Sequence, residues 1–391
     1  MFSARFKWNL ETNAQARLLV EKKRAGAQIL DLTESNPTRA GFSYPTTEIL
    51  TALTNPQAMI YEPVPQGLLS ARAAVAAYYY ERGESVDPES ICLTASTSEA
   101  YSWLFKLLAD QGDSILVPQP SYPLFDFLAA LEDLELRPYE LAYSHPGGWQ
   151  IDFDSLRHAV TPRTRAVIIV SPNNPTGSFV TAQEAEKLAA ICSANRLALI
   201  VDEVFADYAI NPEATKATPF TGRSDALTFV MNGFSKTLGL PQMKLGWIIT
   251  AGPDELKREA FSRLELIADT FLSVNTPVQR AVPAWLQLRE QIQRQLLHRV
   301  RDNYEWLAAL TTDSPCRLLT VEGGWTAPLE IPRYYSEEEW TMRLLAEDNL
   351  LVHSGYFFDF PQEAFLVLSL LTPTAQFREA TQRLMKQIRR H

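Results

Sequence analysis

Cysteine is scarce in this chain. The three present, Cys92, Cys192 and Cys316, form no CxxC pair and join no His/Cys cluster, which argues against a disulfide framework or a zinc site and for reduced thiols. Long hydrophobic runs are missing too. No apolar stretch is long enough to span a bilayer, and the opening residues, MFSARFKWNLETNAQ, lack the apolar core of a secretion signal. Positive charge is in deficit: 36 Lys and Arg stand against 46 Asp and Glu, for a formal net charge of −10. That balance argues against nucleic acid or an anionic membrane as the main partner. The expectation is a cytoplasmic protein, and any phosphate it handles must be met locally, against its overall field. Internal repeats and low-complexity linkers are also lacking.

What is present suits a soluble globular chain of about two domains: 391 residues, 46% hydrophobic and 21% charged. Short runs rich in β-branched residues recur between about 90 and 250: ICLT, SILVP, RAVIIVS, LALIVD, LTFVM and LGWIIT. Amphipathic helical stretches separate several of them, such as SEAYSWLFKLLADQG and TAQEAEKLAAICSANR, and LLSARAAVAAYYYERG reads as one more covering helix. Apolar strands alternating with helices predict an α/β fold, a three-layer and mainly parallel sheet covered on both faces. A long helical tract runs from Val274 to Leu310, and strands are expected near CRLLTV, TAPLEI and FLVLSLL. The predicted layout is a large domain over 46–285 and a smaller α/β C-terminal domain over 286–391. Residues 1–45, with no evident sheet partner, are expected to pack with the small domain.

In open sheets of this kind ligands collect at the carboxyl ends of the strands. Polar clusters fall there: ASTSEAY after ICLT, QPSYP after SILVP, SPNNPTG after AVIIV, DEVFADY at the end of LALIV and FSKTLG after LTFVM. Their hydroxyls, Asn, Asp, Tyr and Lys suit a small, polar, phosphate-bearing ligand.

SPNNPTG, VDEVFADY and FSKTLGLPQMKLGW, in that order and spacing, resemble the fold type I pyridoxal-phosphate aminotransferases, the aspartate aminotransferase class. The likeness runs from YEPVPQG into the C-terminal domain. It implies pyridoxal 5′-phosphate as cofactor and Lys236 as the lysine that holds its aldehyde in a Schiff base and then shuttles the proton. Asp202 would keep the pyridine nitrogen protonated, the cation being the partner a buried carboxylate needs. Asn174 would donate to the ring's phenolic oxygen, with Asn173 left as a turn residue, and Tyr122 would stack on the pyridine face. Ser96, Thr97 and Ser98 open a helix whose N–H groups suit the phosphate, with simple N-capping as the alternative role. Ser235 would add a hydroxyl there, and Gly233 would keep the backbone close. Relatives have an arginine eight residues past the lysine. This chain has Lys244, which keeps the charge and loses the bidentate fork. Tyr61 resembles a tyrosine that reaches the neighbouring subunit's phosphate, which implies a homodimer with shared sites.

Asn36, Trp325 and Tyr356 lie in segments that face substrate in the family, and the aromatic surroundings of the last two suggest an apolar or aromatic substrate. Two departures stand out. Phe205 replaces a tyrosine that donates to the cofactor's phenolic oxygen, and Tyr208 lies a turn too far along to substitute. In FLVLSLL, Val367 stands where relatives carry the arginine that clamps the substrate's α-carboxylate. Three readings stay open: the equivalence is shifted, the next arginine being Arg378 in the final helix; Arg39 or Arg333 takes over; or the substrate is an amine, a modified carboxylate or one held on a carrier. The implied reaction transfers an amino group between an amino donor and a 2-oxo acid. Elimination, racemisation or a synthase step on the same fold is the alternative. A non-catalytic cofactor sensor is a remote one, because residues 1–45 are too short and too weakly basic for a DNA-binding segment. Loss of the donor at Phe205 predicts that the lysine–cofactor imine has a higher pKa than in relatives that keep the tyrosine. A pH titration of its absorbance checks this, and a value no higher than theirs removes the reading.

Overall fold

The apolar runs assemble into one eight-stranded sheet. A computed structural model of the chain describes residues 2–3, 5, 11–211 and 218–390. The strands in chain order begin with β1 Leu30–Asp31, β2 Ile91–Thr94, β3 Ser114–Gln119, β4 Glu135–Ser144, β5 Gly148–Ile151, β6 Thr164–Val170 and β7 Ala198–Asp202. They continue with β8 Thr228–Gly233, β9 Gly246–Ala251, β10 Arg317–Leu318, β11 Thr326–Glu330, β12 Leu350–Leu351, β13 His353–Ser354 and β14 Phe365–Ser369. The large sheet has the order β2-β9-β8-β7-β6-β3-β4-β5. Strands β8, β7, β6, β3 and β4 pair in parallel; β9 is antiparallel to both its neighbours, and β5 is antiparallel to β4.

Alternation along each central strand feeds two cores. On one face Ile115, Ile168, Ala198 and Ile200 pack with Tyr101, Leu104, Phe125 and Leu264 of three covering helices. On the other, Leu116, Val167, Leu199 and Val201 pack with Tyr79, Leu188, Val282 and Trp285. That parity continues past the strand end, so Asp202 turns toward the face of Tyr101 and Glu203 toward the opposite one.

The structure adds elements that periodicity did not signal. Strand β4 contains Pro138 and alternates in exposure, as suits a strand near a sheet edge, and it turns directly into β5. The helical tract is two helices, Thr276–Gln287 and Arg289–Thr311, that meet at Leu288. Leu30–Asp31 does find a strand partner, pairing in parallel with Leu350–Leu351. Leu32 extends the link, donating to the Leu351 carbonyl and accepting from the Ser369 amide. Strands β10, β11, β14 and β13 form a separate antiparallel sheet. No helix among the described residues is long and apolar enough to cross a membrane.

The 355–365 loop of the small sheet hangs on one buried carboxylate. Glu337 accepts from the backbone N–H groups of Tyr356 (2.7 Å), Ala364 (3.2 Å) and Phe365 (2.7 Å). Ala364 is held at φ +116°, a conformation L residues rarely adopt. Glu337→Ala leaves three N–H groups without an acceptor and is expected to cost about 3 kcal/mol, with Glu337→Gln costing less. Urea denaturation of the two variants measures the difference.

Candidate functional site

Strands β7 and β8 are parallel neighbours in the register Asp202↔Met231, so their carboxyl ends open side by side. Beyond β7 comes the 202–208 loop; beyond β8 comes a single helical turn, Phe234–Thr237, which carries Lys236. Gly233 pairs with Gly246 across β8 and β9. A Cβ on Gly233 would stand 2.9 Å from the Leu245 carbonyl oxygen, and one on Gly246 would stand 3.0 Å from Thr94 Oγ1. Only glycine lets the lysine turn sit this close to the loop after β2.

The Lys236 ammonium nitrogen lies 4.9 Å from the Trp325 ring centroid and 5.4 Å from that of Phe205. Trp325 packs edge-on against Phe205 and Tyr208 at 5.2 and 4.9 Å, which completes an aromatic corner around the amine. Burial pushes the Lys236 amine down to about 8, opposed by the charge of Asp202. Burial likewise pushes Asp202 up to about 6. The Val204 N–H on Oδ1 (3.0 Å), the Tyr101 hydroxyl on Oδ2 (2.9 Å) and the charge of Lys236 pull it back. Each carboxylate oxygen thus holds one protein donor and keeps capacity for another.

The other expected residues divide. Asn174 comes to the same place: Thr326 at the start of β11 donates to its Oδ1 (3.4 Å) and to the Pro175 carbonyl (3.1 Å), which leaves the Asn174 NH₂ free to donate. Asn173 closes its own turn, its Oδ1 accepting from the N–H and hydroxyl of Thr176. Trp325 is 3% exposed, and its indole N–H is buried with no partner. Ser96 caps the helix Thr97–Leu108, its hydroxyl accepting from the Glu99 N–H at 3.2 Å. The Ser96 O–H is still free to donate, and together with the first-turn N–H groups of Thr97 and Ser98 it is left for an anion. Ser235 is half-buried beside Lys236. Asn36 is committed to a turn, its Oδ1 accepting from the N–H and hydroxyl of Thr38, while Tyr44 ties the same segment to the Gly239 carbonyl (2.8 Å).

Four residues are not drawn into contact with Lys236 in the single chain. Tyr122 is 45% exposed and lines a cavity of about 180 Å³ with Ser121, Phe125, Asp126 and Asp359. Lys244 is exposed, in the left-handed region at φ +51°. Tyr61 is 75% exposed beside Met59 and Ile60, and Tyr356 is 81% exposed in the turn Gly355–Phe358.

Sequence reasoning passed over Tyr101 and Thr326, and it set Tyr208 aside as a turn too far along. Tyr208 donates to the Lys236 carbonyl at 2.6 Å, which fixes the lysine turn and leaves that hydroxyl unavailable for the role Phe205 cannot fill. Tyr101 had one signal: it lies four residues after Thr97, one turn into the helix and on the same face.

A family model described as aminotransferase class I and II matches residues 27–384. Glutamate-pyruvate aminotransferase AlaA of Escherichia coli (strain K12) is 32% identical over 270 residues, 68% of this chain and 66% of that protein, slightly under two thirds of its length. The alanine aminotransferase of Mycobacterium tuberculosis (strain ATCC 25618 / H37Rv) is 28% identical over 371 residues, 92% of this chain and 85% of its own. Alanine aminotransferase from Pyrococcus furiosus shares the fold, with a TM-score of 0.89 at 22% identity over 100% of both chains.

The opposed shifts give a signed prediction. Asp202 is the charge that holds the Lys236 amine up, so Asp202→Asn should let the amine fall below 8. Reductive methylation of Lys236 in the cofactor-free protein, followed against pH, is expected to titrate near 8 in the wild type and lower in the variant. A variant that titrates higher contradicts the pairing.

Proposed function

The chain belongs to the class I and II aminotransferase family, and on that premise we propose that it is a pyridoxal 5′-phosphate enzyme carrying an amino group from an amino donor to a 2-oxo acid. The observation that supports this most is the partly neutralised Lys236–Asp202 pair at adjacent strand ends. The residues fit the cofactor: a low-pKa amine for an aldehyde, a buried carboxylate with room for a further donor, and an amide NH₂ free to donate. When bound, the cofactor supplies an aldehyde that condenses with amines and a cationic ring that draws electrons from the carbon bearing the amino group.

The chain's own groups do the rest. At pH 7 roughly one Lys236 amine in ten is neutral, against fewer than one in a thousand for an ordinary lysine, so it acts as nucleophile and then as base. Asp202 would hold the ring N–H, and Tyr101 and the Val204 N–H fix the carboxylate by one donor on each oxygen. Asn174 donates to the ring's phenolic oxygen, which Phe205 does not reach with a donor of its own. The Trp325, Phe205 and Tyr208 rings keep water from the amine. Thr97 and Ser98 N–H groups, the Ser235 hydroxyl and the Lys244 charge would hold the phosphate, and Tyr122 would offer its ring to the pyridine. The exposed Met59, Ile60 and Tyr61 are the segment offered to a second copy of the chain, in a cytoplasmic homodimer.

Reduction with borohydride after loading, followed by peptide mapping, is expected to find the pyridoxyl group on Lys236. Lys236→Ala should lose transfer by at least about a thousandfold. An amino donor should bleach the loaded protein and a 2-oxo acid restore its colour. Release of ammonia with no recoverable amino form would keep the cofactor and remove the transfer.

A further inference from the structure

We propose that the face of the small sheet turned toward the site is an uncharged subsite, so that this enzyme prefers amino compounds whose α-carboxylate is masked as an amide or ester, or missing, over free α-amino acids. The proposal rests on the function proposed above and names its substrate class.

The register locates the face. Strand β11 begins at the site, with Trp325 against Lys236 and Thr326 against Asn174. It pairs antiparallel with β14 in the register Thr326↔Ser369, Pro328↔Val367 and Glu330↔Phe365, and His353 of β13 pairs with Val367. Residues directly opposite in an antiparallel pair share a face, as do alternate residues along a strand. Thr326, Ser369, Val367, Phe365 and His353 therefore lie on the face that meets Asn174, while Leu366 and Leu368 turn into the main core.

Among the described residues, no free cation stands in the register of that face. Val367 is 1% exposed and packs with Phe358 and Phe360 against Trp149 of β5 and Phe365. The Phe358 carbonyl accepts from the Ser121 N–H at 2.9 Å, so the apolar wall reaches from the Asn174 turn to the loop that carries Tyr122. Ser369 spends its hydroxyl on the Glu34 carbonyl. His353 stacks on Phe357 at 4.5 Å, and burial drives it to about 4, so its ring is neutral. Arg317 is on the face at its far end, forked onto Glu330. The sequence holds no Lys or Arg between Arg343 and Arg378, although Asp359 and Glu363 fall in that stretch. Arg39 and Arg333, the candidates from sequence, are exposed and lie outside the register of this face. A carboxylate brought to this wall would be desolvated with no counter-charge, whereas an amide of the same shape carries no such penalty.

The test compares two ligands that differ by one charge. Phosphopyridoxyl-L-alaninamide and phosphopyridoxyl-L-alanine, stable reduced conjugates, are titrated calorimetrically into the full-length cofactor-free protein. The amide is expected to bind at least about tenfold more tightly. Equal affinities, or tighter binding of the acid, overturn the subsite and leave the cofactor reading intact. Failure of pyridoxal phosphate itself to bind overturns both. Val367→Arg is expected to reverse the preference. An unreversed ratio in a variant that still binds pyridoxal phosphate with wild-type affinity removes the assignment to this face. The wild-type ratio decides the proposal should the variant not fold.

Discussion

The site depends on one electrostatic compromise: two opposite charges share a desolvated corner where neither is comfortable. Burial drives the Asp202 carboxyl toward about 6 and the Lys236 amine toward about 8, and each charge restrains the drift of the other. Were the pair fully solvated, the amine would be protonated and inert. Were it more deeply buried without donors, the carboxyl would be neutral and unable to hold a cation. Tyr101 and Val204 set the balance by giving the carboxylate one hydrogen bond on each oxygen.

Holding that geometry takes a second network beneath it. Glu203, one residue on, points to the other face, where Arg82 meets Glu84 at 3.2 Å and Glu203 at 3.7 Å. Burial pushes Glu203 up to about 7 against the charge of Arg82. Asp207 accepts from Tyr78 (3.1 Å) and from Gln293 (2.8 Å), and Gln293 also donates to the Thr237 carbonyl (2.9 Å), beside the lysine. Asn232 takes the Thr237 hydroxyl at 2.9 Å, and Tyr208 takes the Lys236 carbonyl. The loop after β7 and the turn after β8 are therefore tied to each other as well as to the sheet. Buried ionic clusters of this kind add little net stability; their contribution here is to fix where two short segments lie.

The degree to which this could be read from sequence follows the range of the interactions. Central strands announce themselves as short apolar runs, and the strand-end argument finds the polar clusters that hold Asp202, Asn174 and Lys236, while the family resemblance singles out the three residues. Tyr101 is a different case. Its partner is about a hundred residues away, and its one local signal, the helix face it shares with Thr97, is shared by Phe105, a core residue one turn further along. Strand β4 was missed because Pro138 and an alternating, half-exposed pattern weaken its signal. Tyr61, Tyr122, Lys244 and Tyr356 carry their roles by resemblance, and a single chain leaves all four exposed. Groups that act on a ligand or a second copy gain their contacts only when that partner is present.

The two sheets divide the labour unequally, and this bears on what the family can reveal. Lys236, Asp202, Glu203, Asp207, Arg82 and Glu84, and the helix N-terminus suited to phosphate, belong to the large sheet, its covering helices and the loops beside them. The small sheet reaches the corner with Trp325 and Thr326, an indole and a hydroxyl, and otherwise shows it aliphatic and aromatic surface. Substitutions on β14 can change which molecule is admitted without disturbing the proton affinities of Lys236 or Asp202, because none of the groups that set those affinities lies on that strand. A chain can then keep the recognisable motifs of its family at full strength while its substrate departs from those for which its relatives are named. In this chain the register puts Val367 on the face of the small sheet that continues from Thr326.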